Sequence, residues 1–244
     1  MPVALVTGST SGIGAAIAHR LSREGYEVVL HSRSSVEAGQ AMARDLPAAR
    51  YIQADLSLEE QRRSLVEQTL RECGRIDLLV NNAGISEVIA HNDLLAATPE
   101  IWQRMHEVNV VAPFRLVAHA RAALEACAKL RGRPACVINI SSHAGVRPKG
   151  ASIPYSAGKA ALNHMTRLLA LSLAPDIRVN AVAPGLVETP LTESWATARA
   201  LWTEKSPMRR GAQPQDIAQV VALLADSDYL TGEVIVSDGG LNLT

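Results

Sequence analysis

Cysteine is scarce: Cys73, Cys127 and Cys136 are all the chain has, and none stands in a C-x-x-C or other metal-ligand spacing. The odd count argues against a disulfide framework and the spacing against a structural metal. No metal is expected, and the compartment implied by this usage is a reducing one, the cytoplasm. A surplus of either charge is also missing, because 24 Lys+Arg offset 24 Asp+Glu for a formal net charge of +0. That excludes the basic footprint of a nucleic-acid binder and any charged tail. No apolar run approaches the roughly 20 residues that span a bilayer, so no membrane association is expected. The opening Met-Pro-Val-Ala-Leu-Val lacks a basic n-region, and Val3–Thr10 reads as a strand entering a turn, not as a signal peptide. No Gly/Ser/Pro linker, repeat or low-complexity stretch divides the chain, so residues 1–244 are read as a single domain.

What is present is a well-filled interior. Hydrophobic residues make up 48% and charged residues 20%, the balance of a folded globular chain and not of a disordered one. Short β-branched runs alternate with longer amphipathic ones. The runs predict strands at Ala4–Val6, Glu27–Leu30, Arg50–Gln53, Ile76–Val80, Ala135–Ile140, Arg178–Val182 and Glu233–Val236. The amphipathic stretches predict helices at Ile13–Glu24, Ser35–Asp45, Leu58–Cys73, Pro99–Lys129, Pro154–Leu173 and Pro214–Ala225. This alternation predicts an α/β protein: a doubly wound Rossmann fold with a seven-stranded parallel sheet and helices on both faces. The longest excursion from the sheet, Pro184–Gln213, lies beyond a strand's carboxyl end, where open α/β sheets bind ligands. It is read as a substrate lid at about 184–213, or as a packing or oligomer element.

Two motifs carry chemistry. Thr7-Gly8-Ser9-Thr10-Ser11-Gly12-Ile13-Gly14 leaves the first strand and opens the first helix. Glycines there let the backbone turn tightly and approach a pyrophosphate at the positive end of the helix. The second motif is Ser142, Tyr155 and Lys159. With roughly 3.6 residues per helical turn, Tyr155 and Lys159 share one face. A phenol with a reference pKa of about 10 is a poor acid at neutral pH. An adjacent ammonium favours the phenolate and makes it a usable proton-transfer group. Ser142, coming off a strand end, can donate a hydrogen bond to a substrate oxygen. Taken alone, Y-x-x-x-K is common on ordinary helices; its company raises its weight.

These residues, with Ala54-Asp55-Leu56, Asn81-Asn82-Ala83-Gly84, Asn109, Ala183-Pro184-Gly185 and the Thr231–Gly240 ending, resemble the short-chain dehydrogenase/reductases of the 3-oxoacyl-carrier-protein reductase-like type. The resemblance covers essentially the whole chain, including the usual spacing from Ser142 to Tyr155. It implies an enzyme in which Tyr155 is the general acid/base, Lys159 lowers its pKa and bonds the nicotinamide ribose, and Ser142 polarises the carbonyl. Asn109 would complete a proton relay through a water at its main-chain carbonyl. Pro113, four residues later, has no N–H, so in a continuous helix it would either leave that carbonyl free or merely kink the helix. The glycine-rich turn, Gly8 to Gly14, would hold the pyrophosphate. Asp55 and Leu56, with Asn82, Ala83 and Gly84, would line the adenosine side, although Asn81 and Asn82 can equally tie neighbouring strands. Pro184, Gly185, Val187 and Thr189 would face the nicotinamide. The family further suggests a homotetramer or homodimer, and the apolar ending supplies an edge strand that another subunit can cover.

The choice of nicotinamide cofactor is read at the end of the second strand, where NAD enzymes present an acid to the ribose 2′-hydroxyl. Here Ser32 stands in that place and Arg33 follows. A guanidinium and hydroxyls bind a 2′-phosphate that a carboxylate would repel, so NADP is expected over NAD, unless Arg33 is only a surface residue. Ser11 occupies the family's other common basic position, so the preference need not be strict. The implied substrate is a small-molecule ketone or secondary alcohol. Trp195 and Trp202, at i and i+7, would share a helical face with Leu191 and Ala198, walling an apolar pocket or packing the lid. His91 and His143 fall near the pocket mouth by analogy. The alternatives are an NADP(H)-binding sensor or scaffold without turnover, expected to erode Ser142, Tyr155 or Lys159, and an NAD-preferring alcohol dehydrogenase.

Overall fold

Strands that are mainly apolar, without alternation, must be covered on both faces. Val3–Val6 (β1), Leu78–Asn81 (β4), Ala135–Ile140 (β5) and Ile177–Pro184 (β6) are of this kind, and in the computed structural model, which describes residues 1–244, every residue in them is buried. Glu27–Ser32 (β2), Ala49–Gln53 (β3) and Val234–Ser237 (β7) complete one parallel sheet in the order β3-β2-β1-β4-β5-β6-β7. The edge strands β3 and β7 are the least buried.

Alternate residues of β1 enter different cores. Val3 and Leu5 join Leu65 of α3 (Glu59–Cys73), Leu116 and Leu124 of α5 (Ala112–Arg131) and Ala170 of α6 (Ile153–Leu173). Ala4 and Val6 join Ile17 and Leu21 of α1 (Gly12–Arg23) and Ile217 and Val221 of α8 (Pro214–Asp226). The remaining helices are α2 (Val36–Asp45), α4 (Pro99–His106) and α7 (Ala196–Lys205). No helix is long and apolar enough to cross a membrane. The strand order reverses between β1 and β4, and this switch point opens the crevice in which such sheets bind ligands.

Two expectations are corrected. The helix predicted over Pro99–Lys129 is interrupted by a π turn, Glu107–Val111, between α4 and α5. The Ala112 N–H reaches the Glu107 carbonyl five residues back, so the helical register shifts ahead of Pro113. The premise of a continuous helix through Asn109 therefore does not hold. Nor do Trp195 and Trp202 share a helical face: Leu191 lies in a 3-10 turn (Pro190–Thr192), Trp195 precedes α7, and only Ala198 and Trp202 lie within it. The two stems of this excursion are joined, since Ala212 donates its N–H to the Leu186 carbonyl (2.8 Å) and accepts that of Glu188 (2.9 Å). No residue of α7 is fully buried.

Candidate active site

The glycine-rich turn takes a shape that side chains forbid. Gly8 and Gly12 lie at φ +62° and +53°, in the left-handed region. A Cβ on Gly14 would come within 2.2 Å of the Gly8 carbonyl oxygen, so only glycine lets α1 start that close to the turn. Around it, Asn82 Nδ2 donates to the Thr7 and Gly8 carbonyls (2.9 and 3.0 Å), while Thr7 Oγ1 accepts from the Asn82 and Ala83 amides (both 3.0 Å). Asn82 thus braces the turn. Ser11 caps α1 in an extended conformation without a side-chain bond, so no hydroxyl claims the first-turn N–H groups. Left-handed glycines, close helix approach and an uncapped positive helix end fit a pyrophosphate.

The adenosine end is built from the ends of β2 and β3. Asp55 Oδ1 accepts from the Ser57 amide (2.9 Å) and hydroxyl (2.7 Å), and chiefly the former holds the carboxyl below its usual range. Leu56 is buried and its carbonyl accepts from Arg62 Nε (2.6 Å). Arg33 is exposed. Ser32 is buried, and its Oγ pairs with the Tyr51 hydroxyl at 2.7 Å, so that hydroxyl already has a partner inside the protein. Ser9 is buried too, its Oγ accepting from the His31 amide (2.8 Å). Sequence reading passed over Tyr51 and His31. The sole signal for His31 was a histidine directly after the apolar run Val28–Leu30.

Across the switch point, Ser142 follows β5 by two residues and caps a 3-10 turn, its Oγ accepting from the Ala144 amide (3.1 Å). Gly145 lets that turn seat on α6, since a Cβ there would lie 2.6 Å from the Lys159 carbonyl carbon. Helix α6 starts at Ser152, which accepts from the Tyr155 amide, and carries Tyr155 and Lys159 to the crevice. Lys159 Nζ donates to the Ile140 carbonyl (2.8 Å) and lies 5.7 Å from the centre of the Tyr155 ring. Asn109 Oδ1 accepts from the Ile85 amide (2.9 Å) and Nδ2 donates to the Ile85 carbonyl (2.8 Å), clamping the chain beyond β4. Gly84 sits between them: a Cβ there would lie 3.0 Å from Asn109 Oδ1 and 3.6 Å from Lys159 Nζ. The four sequence-predicted catalytic candidates are thus brought to one end of the sheet.

Burial dominates their electrostatics. Burial pushes the Tyr155 phenol above its usual range, against the Ser142 hydroxyl, which draws it down. Burial also pushes the Lys159 ammonium down to about 8. Desolvation thus disfavours both charged forms, and the Lys159 ammonium, with one N–H given to the Ile140 carbonyl, keeps two for other partners.

The 184–213 excursion packs against the glycine-rich turn and the end of β6. Thr189 approaches the turn, lying 3.2 Å from where a Gly12 Cβ would stand. Val187 is buried, and Gly185 has Trp202 so close that a Cβ would fall 2.9 Å from its ring. Trp202 in turn meets the buried His143 ring edge-on at 5.9 Å between centroids, and His143 Nε2 lies 3.4 Å from the Asp238 carboxylate. Burial, the largest influence on His143, holds its pKa below the usual range. His91 is exposed and pairs with the Gly150 carbonyl at 3.1 Å.

Comparison with known proteins places this geometry among relatives. The family model described as Enoyl-(Acyl carrier protein) reductase matches residues 8–242. A protein named as a ketoacyl reductase of the granaticin polyketide synthase of Streptomyces violaceoruber is 45% identical, with 99% of this chain and 96% of that protein covered. Human dehydrogenase/reductase SDR family member 2, mitochondrial, is 37% identical over 97% of this chain and 85% of its own. Among solved structures, 3-ketoacyl-(acyl-carrier-protein) reductase from Brucella melitensis, complexed with NADH, superposes with a TM-score of 0.90 at 32% identity over 98% of both chains. A blue fluorescent protein from a metagenomic library, in complex with NADPH, gives 0.88 at 34% identity over 98% of this chain and 97% of that one.

Proposed function

The chain belongs to the short-chain dehydrogenase/reductase family of oxidoreductases, and we propose that it interconverts a ketone and a secondary alcohol with NADP as the preferred cofactor. The observation that carries this reading is the convergence of Ser142, Tyr155, Lys159 and Asn109 at the carboxyl ends of β4 and β5, across the switch point from the glycine-rich turn. When bound, the nicotinamide supplies or accepts the hydride. Residues Gly8 to Gly14 hold the pyrophosphate through backbone N–H groups. Asp55, Leu56, Asn82, Ala83 and Gly84 line the adenosine side. Lys159 and Tyr155 serve the nicotinamide ribose; Pro184, Gly185, Val187 and Thr189 serve the carboxamide end.

In the reductive direction Ser142 Oγ donates to the substrate carbonyl oxygen and Tyr155 gives that oxygen its proton. The high pKa of the phenol keeps the proton in place until negative charge builds on the substrate. Lys159, beside the ring, then stabilises the phenolate as it forms. Asn109, through its clamp on Ile85, fixes the loop flanking these groups. The 184–213 segment acts as the lid, with Trp202 giving it an aromatic face over Gly185. Purified protein supplied with NADPH and a panel of aliphatic, cyclic and aromatic ketones tests the reading by loss of reduced-nicotinamide absorbance. Tight NADPH binding without oxidation by any ketone would instead make the chain a cofactor-binding sensor.

Arg33 carries the NADP preference, since the Ser32 hydroxyl is engaged by Tyr51. Arg33→Ala should raise the KM for NADPH by roughly 10- to 150-fold, the value of a charge-assisted contact, and change that for NADH little. A wild-type enzyme that already favours NADH refutes the assignment. The free edge of β7, only half-buried, supports a homo-oligomer, a tetramer or dimer. Light scattering is expected to return a multiple of 26.0 kDa, and a monomeric mass overturns it.

A further inference from the structure

His31 is a buried imidazole, 2% exposed, near the end of β2. Its ring bridges two segments that the sequence separates widely. Nδ1 lies 3.1 Å from the Gly8 amide nitrogen, and Nε2 lies 3.0 Å from the Ala54 carbonyl oxygen. An amide N–H can only donate, so Nδ1 must present its lone pair; a carbonyl can only accept, so Nε2 must carry the proton. The partners therefore select one neutral tautomer. The backbone repeats the tie, with the Ser9 N–H donating to the His31 carbonyl (2.9 Å) and the His31 N–H to Ser9 Oγ (2.8 Å). A protonated ring would place an N–H against the Gly8 N–H. Burial keeps the imidazole from charging, holding its pKa down to about 4, although the Ala54 carbonyl and, less, the Asp55 carboxylate pull the other way.

Gly8 is the residue that bends the turn, with φ +62°, toward Ala83 and Gly14. Ala54 directly precedes Asp55. One side chain thus sets both the pyrophosphate turn and the strand end that carries the adenosine-side acid. We propose that His31 is a positioning residue for dinucleotide binding, holding Gly8 and Ala54 in the relative placement that the cofactor needs. This rests on the cofactor site read above.

The test compares NADPH affinity, by fluorescence titration, in wild type, His31→Leu and His31→Asn, with melting temperatures beside it. Asn can put its amide oxygen where Nδ1 stands and so keep the Gly8 bond, whereas Leu keeps neither bond. His31→Leu, which loses both bonds, is expected to weaken NADPH binding about 10-fold. His31→Asn should recover most of that affinity, and KM for NADPH should rise in His31→Leu by a larger factor than kcat falls. Equal weakening in both variants, or a His31→Leu variant within about twofold of wild type, overturns the proposal. Should His31→Leu fail to fold, the tautomer decides: 15N NMR of wild type must show an unprotonated Nδ1 and a protonated Nε2 at neutral pH, and a charged ring or the other tautomer overturns it. Failure of the cofactor reading itself looks different, because then wild type binds neither NADPH nor NADH.

Discussion

Tyr155→Phe is expected to lower kcat by about a thousandfold, within the range of a lost general acid/base, while NADPH affinity stays within about threefold of wild type. The phenol hydroxyl is the one group in the crevice that combines a proton with a pKa raised by burial, so it delivers that proton only when the carbonyl oxygen has gained charge. Phenylalanine keeps the ring, and with it the packing of α6 on the turn that follows β5. Ser142 Oγ, which accepts from the Ala144 amide, remains as a donor to the substrate but is a far weaker acid than the phenol. Single-turnover kinetics with pre-bound NADPH separate the two effects, since binding is read before reduction begins. Turnover near the wild-type rate would remove Tyr155 from the mechanism.

Lys159→Met should cost as much in kcat and, unlike Tyr155→Phe, should also raise the KM for NADPH by at least tenfold. Its ammonium is buried, donates to the Ile140 carbonyl at 2.8 Å and stands beside both the Tyr155 ring and Gly84. Methionine fills the space but leaves the Ile140 carbonyl without its donor and the phenolate without its cation. The wild-type pH profile gives a second check. Burial lowers the Lys159 pKa to about 8, so the protonated form that stabilises the phenolate is complete below that pH and is lost as pH rises through it. The Tyr155 phenol, pushed upward, stays protonated across the same window. Ketone reduction, read as kcat/KM for the ketone, should therefore decline above about pH 8, and an activity still climbing well beyond that value would contradict the assignment of Lys159.

Much of this was legible in the order of residues. Runs such as Val3–Val6 and Ala135–Ile140, apolar but for Asn139, read as central parallel strands, and the structure places them there. Predicted strand and helix boundaries agree with the structure to within a few residues. The glycine spacing from Gly8 to Gly14 and the i, i+4 pair on α6 are local patterns, and local backbone geometry suffices to interpret them. Other features were not legible because they depend on partners far away in the chain. The π turn at Asn109 interrupts a helix whose sequence reads as continuous, and the Asn109 side chain clamps Ile85 on the neighbouring loop. Trp202 looked like the partner of Trp195 but meets His143 and Gly185 instead.

The sequence by itself determined the class of fold, the strand and helix order, the position of the glycine-rich turn and the identity of the Ser142, Tyr155 and Lys159 constellation. Periodicity and short spacings decide these, because they act within one strand, one turn or one helix. The tertiary structure alone decided which hydroxyls are already engaged, as Ser9 is by His31 and Ser32 by Tyr51. It also decided that burial outweighs the Ser142 hydrogen bond at Tyr155, and that His31 joins Gly8 to Ala54. Desolvation and long-range hydrogen bonding are properties of the packed interior, set by groups that meet only after the sheet has assembled.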